Sequence, residues 1–241
     1  ATRANILAAI QELKLKSKPG DELFIYWSGH GGTCADTGDE KEEQDGLDEF
    51  LVPYDAVPGK IAETMVLDDE FGRWIQDLDG RRVVVILDAC HSGGSFQGAK
   101  GLEKSTGVIQ NAGGSQAAPA AGTSVTDVVK RVQGGSTAVA DNGGWKEFLG
   151  NEFSRVKDIG QEDAAMLFSS ASDEISAERR DGDLSVMTYF LADMILKEQT
   201  VTLRGAYDHV KVKVPEYMQE HFPGRTQTPQ LNGTGEDVRL R

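Results

Sequence analysis

Residues 83–87 read VVVIL, five apolar residues in a row between Arg81-Arg82 and Asp88, and four of them are β-branched. Side chains alternate between the two faces of a strand, so a strand that is apolar at every position is buried on both. That pattern belongs to an inner strand of a parallel sheet covered by helices on each side, and it leaves few architectures open.

The flanking segments fit such a layered α/β arrangement. Thr2 can cap a helix whose apolar residues Ile6, Leu7, Ile10 and Leu13 recur at helical spacing, and Pro19-Gly20 stops it. The run 22–27 (ELFIYW) reads as a strand, and 49–52 (EFLV) as another that closes at Pro53. Asp68-Asp69 opens a helix with Phe71, Trp74, Ile75 and Leu78 on one stripe. Further on, 164–170 (AAMLFSS) is strand-like, and two helices follow, one with Met187, Phe190, Leu191, Met194 and Ile195, the other with Leu203, Ala206, Tyr207, Val210, Val214, Tyr217 and Met218. The tail after Pro223 is expected to be irregular. Strands and helices in this order predict parallel strands joined by right-handed crossovers, with sites at the carboxyl ends of the strands.

From about 98 to 144 the composition changes to stretches such as GGSQAAPAAG and DNGG. A mobile, cleavable linker is predicted there, interrupted by at most one amphipathic element at 124–132. The chain then divides into 1–97, the linker 98–144, and 145–241, the first and last together forming one domain.

Composition narrows the partners. With 25 Lys and Arg against 39 Asp and Glu, the formal charge of −14 disfavours nucleic acid and anionic membrane surfaces and favours cationic peptides. No apolar stretch approaches the roughly 20 residues that cross a bilayer, and the first residues lack a secretory signal. Two cysteines outside any CxxC pair fit a reducing compartment, hence a cytoplasmic location.

One of those cysteines, Cys90, follows the inner strand within DACHSGG, and His30 follows the 22–27 strand within SGHGG. A thiolate forms most readily where an imidazole takes its proton, and two adjacent strand ends bring such a pair together whatever their sequence separation. Backbone N–H groups at Gly31 and Cys90 are placed to face a developing oxyanion. His91 points away from Cys90 if strand geometry continues, and is read as structural. Asp88 lies two residues before Cys90 and so on its side of the strand. A carboxylate there is costly to bury unpaired, which leaves two readings: an anchor that accepts backbone N–H bonds, or the floor of a pocket for a cationic side chain.

Taken together, 26–32 (YWSGHGG) and 87–94 (LDACHSGG) closely resemble the caspase-fold cysteine peptidases of clan CD, most nearly the metacaspases and orthocaspases of peptidase family C14. The likeness continues through 45–55 (DGLDEFLVPYD), 68–71 (DDEF), 168–178 (FSSASDEISAE), 186–191 (VMTYFL) and 223–231 (PGRTQTPQL). The resemblance implies an α-β-α sandwich with a mostly parallel central sheet, a p20-like part at 1–97 and a p10-like part at 145–241. It implies His30 as general base, Cys90 as nucleophile, and a P1 pocket of Asp88 with Ser170, Ser172 and Asp173, selecting Arg or Lys. Polypeptides with a basic P1 residue are the implied substrates. The chemistry needs no cofactor, but calcium is implied as a switch, with Asp48, Asp68 and Asp69 matching three of its ligands; the position of a fourth acid is Gln97 here.

Two strands and a helix that precede the Thr2–Leu15 helix in the family have no counterpart here. The expectation is a sheet that lacks its N-terminal strands in this chain, completed by an N-terminal fragment of the same precursor. Lys100, Lys104, Lys130 and Arg131 in the linker are candidate self-cleavage positions. The rival readings are an idle caspase-fold scaffold that binds basic partners, and a peptidase with Asp at P1, which Asp88 would repel.

Overall fold

The computed structural model describes residues 1–35, 47–57, 59–89, 105–109, 164–171, 174–182, 184–233 and 237–240. Its main sheet has the order β1-β5-β7-β8, formed by β1 (Glu22–Ser28), β5 (Arg82–Asp88), β7 (Ala164–Phe168) and β8 (Gln230–Gly233). β1 and β7 both run parallel to β5, while β8 closes the far side antiparallel to β7. β5 is thus an inner strand, as its unbroken apolar run requires.

The alternation along β5 builds the two layers. Val83, Val85 and Leu87 face a core with Ile10 of α1 (Arg3–Lys16) and with Phe71, Trp74 and Ile75 of α3 (Asp68–Gln76), which follows the single-turn α2 (Ile61–Thr64). Val84 and Ile86 face the opposite core, with Met187 and Leu191 of α4 (Val186–Lys197) and Leu203, Ala206, Val210, Val214 and Met218 of α5 (Leu203–His221). The result is an α/β sandwich with helices on both faces of a mostly parallel sheet. Burial of each of the Val, Leu, Ile, Phe and Met side chains among these contributes about 1.5–3 kcal/mol.

Helix starts follow the caps legible in the sequence. Thr2 accepts a hydrogen bond from the Asn5 amide, Ser185 from that of Thr188, and Thr202 from that of Gly205. α1 docks on the next layer through Arg3, whose Nε donates to the Met65 carbonyl at 3.0 Å and whose guanidinium pairs with Glu70 at 2.5 Å.

Three departures from expectation concern strands. No strand is expected immediately after His30, yet Gly31–Ala35 is β2, part of a second sheet ordered β4-β3-β2-β6 with β3 (Leu47–Leu51) and β4 (Val66–Leu67). β6 (Ser105–Ile109) falls inside the segment expected to be a linker and pairs parallel with β2, Gly31 opposite Ser105 and Cys34 opposite Ile109. Its sequence, STGVI, carries three β-branched residues interrupted by a glycine, too short a signal to stand out beside the glycine-rich stretches around it. The tail expected to be irregular supplies β8, whose Gly233 has φ of 88° and lies so close to β7 that a Cβ there would sit 2.2 Å from the Ala164 carbonyl oxygen. The 124–132 element lies outside the described residues.

Candidate active site

The site begins at the carboxyl ends of β1 and β5. Their parallel register ends on the pair Ser28 and Asp88, and the Gly29 amide extends the ladder by donating to the Asp88 carbonyl at 3.2 Å. Gly29 also packs beneath the Trp27 indole, where a Cβ would sit 3.2 Å from Nε1, so a larger residue would require the indole to shift by a few tenths of an ångström. His30 follows, half-buried, with its carbonyl accepting from the Val52 amide at 3.0 Å. Gly31 then enters β2 opposite Leu51 of β3. His30 is thereby held by backbone on both sides, at the junction of the two sheets.

Asp88 is fully buried. Its carboxylate accepts three side-chain hydroxyls from the second half of the chain. Ser176 Oγ donates to Oδ1 at 2.7 Å, while Ser185 and Thr188 both donate to Oδ2. Ser185 is the N-cap of α4, so the carboxylate also sits at the positive end of that helix. Hydroxyl donors and a helix dipole offset much of the cost of desolvating a carboxylate. The chain of hydroxyls continues outward, since the Thr188 and Tyr26 oxygens lie 2.5 Å apart. Partial burial pushes the Tyr26 phenol above its ordinary range; hydrogen bonds with Ser28 and Thr188 pull the other way, and the charge of Asp88 adds to the rise.

β7 brings the next wall. The Ser169 amide donates to the Leu87 carbonyl at 3.0 Å and its Oγ to the Ala89 carbonyl at 3.2 Å. Gln227, itself buried, donates to the Ser169 carbonyl at 3.1 Å and accepts from the Ala177 amide at 2.9 Å, tying the segment after β7 to the chain leading into β8. Glu174 reinforces that tie by accepting from the Ala171 amide at 3.1 Å and from Thr228 Oγ at 2.8 Å. Ser170 is buried beside this framework.

The structure therefore brings His30, Gly31, Asp88 and Ser170 to one edge of the sheet. Cys90, Ser172 and Asp173 lie outside the described residues, as do Lys100, Lys104, Lys130 and Arg131. Ser176, Ser185, Thr188, Tyr26 and Gln227 were missed by sequence reasoning. Ser185 carried a readable signal, a serine directly before a helical stripe, but nothing local pointed it at Asp88, 97 residues away.

Two of the three acids proposed for calcium have described side chains. Asp68 is fully buried at the start of α3; Asp69 is partly exposed and faces Arg73 at 4.0 Å; Asp48 stands opposite Cys34 in the β2–β3 ladder, its side chain outside the description. Glu49, which sequence reasoning passed over, is fully buried one residue before the Phe50–Leu67 pair, as Asp68 is one residue after it. Among the described residues no group of three or more His, Cys, Asp or Glu is gathered for a metal ion.

Comparison with known proteins adds sequence to this geometry. Residues 1–97 match the family model described as the metacaspase, peptidase C14 domain. Over 192 residues the chain is 32% identical to Metacaspase-1 of Candida albicans, an alignment covering 75% of this chain and 42% of that protein. Against Metacaspase-1 of Saccharomyces cerevisiae it is 28% identical over 256 residues, covering 97% of this chain and 53% of that protein. The chain thus spans about half the length of these relatives. In three dimensions it resembles a crystal structure of a Geobacter sulfurreducens protein, with a TM-score of 0.55 at 19% identity, covering 99% of this chain and 77% of that one. At that identity the likeness speaks for the fold alone.

Proposed function

Because the chain belongs to the metacaspase family of C14 peptidases, we propose that it is a cysteine endopeptidase that cuts after Arg or Lys, with Cys90 as nucleophile and His30 as general base. The observation that carries this reading is the β1–β5 register. Ser28 and Asp88 are partners and the Gly29 amide bonds the Asp88 carbonyl; in sequence Gly29-His30 follows the one strand and Ala89-Cys90 the other. That ladder ends two residues before His30 in one segment and two residues before Cys90 in the other, an equal offset that supports pairing the thiol with the imidazole for proton transfer.

In the proposed reaction His30 takes the Cys90 proton and the thiolate attacks the scissile carbonyl carbon. The tetrahedral oxyanion accepts hydrogen bonds from the Cys90 and Gly31 amides. As the C–N bond breaks, His30 returns its proton to the leaving amine, and water, deprotonated by His30, then releases the acid from the thioester. Asp88 supplies the buried negative charge that favours a cationic P1 group, with Ser170, Ser172 and Asp173 proposed as wall residues. This charge is also what disfavours an Asp at P1. No step is routed through calcium, for which Asp48, Asp68 and Asp69 remain the proposed ligands; added calcium raising turnover in the intact protein but not in Asp68→Asn is the outcome that supports them.

Self-processing within the linker at Lys100, Lys104, Lys130 or Arg131 is proposed on the same P1 chemistry. Intact mass of the wild type beside Cys90→Ala tests it, and identical masses would count against it. A companion segment from the preceding part of the precursor is proposed against β1, an edge strand among the described residues with Phe24 48% and Tyr26 41% exposed. Denaturing size analysis of active material that finds no second polypeptide speaks against that segment as a separate chain.

The test of the function itself is turnover of a peptide with Arg at P1 and labelling by an Arg-containing thiol-directed ketone. Both are expected in the wild type and absent in Cys90→Ala. A scaffold protein would show neither in either form.

A further inference from the structure

The donors around Asp88 also determine which of its lone pairs are taken. A hydroxyl has one proton to give. Thr188 gives its proton to Asp88 Oδ2, so in the Tyr26–Thr188 contact the phenol must be the donor. Ser185 gives its proton to the same Oδ2 and accepts the Thr188 amide at 3.4 Å. Each oxygen of a carboxylate offers about two lone-pair positions. Oδ2 is therefore filled by residues of α4, and Oδ1 already accepts Ser176.

A guanidinium gains its advantage over an ammonium at a carboxylate by taking both oxygens at once in a fork. With Oδ2 occupied that fork is closed. We propose that Thr188 and Ser185 are specificity-determining residues: by saturating Asp88 Oδ2 they deny a P1 arginine its two-oxygen contact, so that the pocket accepts Lys nearly as well as Arg. Tyr26 acts as a positioning residue, because its O–H fills the Thr188 acceptor site and so keeps the Thr188 proton directed at Asp88. This inference rests on the reading of Asp88 as the P1 acid and says which basic side chains that acid separates.

The test compares kcat and KM for two peptides that differ only in Arg or Lys at P1, using the full chain. Thr188→Val keeps the shape and removes the donor. Ser185→Gly removes the other donor from Oδ2 at little cost to the helix cap. The wild type is expected to favour Arg by no more than about tenfold in kcat/KM, and each variant to raise that ratio about five- to tenfold, one charge-assisted hydrogen bond, through KM for the Arg peptide. Thr188→Ser, which keeps the hydroxyl, is expected to retain the wild-type ratio. A ratio unmoved in both Thr188→Val and Ser185→Gly, or a wild type that favours Arg by a hundredfold or more, overturns the proposal while leaving the P1 role of Asp88 standing, provided Asp88→Asn loses basic-P1 turnover. If Asp88→Asn keeps its preference for basic P1, the reading of the pocket fails first and the inference with it.

Discussion

At the residue scale the account turns on Asp88, a carboxylate that the sequence places and the fold explains. Its position two residues before Cys90 is legible in DACHSGG, but its partners Ser176, Ser185 and Thr188 come from 88 to 100 residues further along the chain. No local pattern encodes such contacts; they exist because β7 and α4 pack beside β5. Asp88→Asn should lower kcat/KM for a basic-P1 peptide by at least a hundredfold, since a neutral amide neither attracts the guest nor satisfies the three donors; steady-state kinetics on Arg and Lys peptides checks this. Tyr26 provides a second prediction. Its raised value means the fold favours the neutral phenol, so that contribution is fully present below the unfolded tyrosine value of about 10 and is lost as pH rises through the higher folded value. In an ultraviolet phenolate titration Tyr26→Phe should remove a late-titrating component from the five tyrosines. Superimposable curves for the two proteins, apart from amplitude, would contradict it.

At the element scale, β5 was the most legible part of the chain. Five apolar residues sufficed to predict burial on both faces, and Val83, Val85 and Leu87 duly face one helical layer while Val84 and Ile86 face the other. Ile86→Ala should therefore destabilise by about 2–5 kcal/mol, read as a lower denaturant midpoint. The short polar strands were not legible, for a physical reason. β2 begins with two glycines and β8 reads QLNG, and such strands form because a neighbour offers an open ladder, not because their own side chains demand it. In β8 the demand falls on one glycine. Gly233→Ala would meet both a left-handed backbone conformation and the Ala164 carbonyl, and a loss on the order of 1–3 kcal/mol is expected by chemical denaturation. An unchanged midpoint would mean that β8 does not pair with β7 as described.

At the scale of the whole molecule, two halves of the chain share one sheet and one site. β1 and β5 from the first half carry His30 and Asp88, and β7 with α4 from the second half carries Ser170 and the hydroxyls that hold Asp88. A cut within 98–144, the segment proposed as a linker, would thus leave the halves joined by the β5–β7 ladder and by both cores. The formal charge of −14 suits a protein whose proposed substrates are cationic, and raising ionic strength should increase KM for a basic peptide through screening of that field. The central claim is that the end of the β1–β5 ladder presents a thiol and an imidazole to a peptide bond after a basic residue. Its most direct test is hydrolysis of an Arg-P1 peptide by the wild type and by Cys90→Ala at matched folded concentration. The account predicts steady turnover in the first and none above background in the second; turnover retained in Cys90→Ala would contradict it.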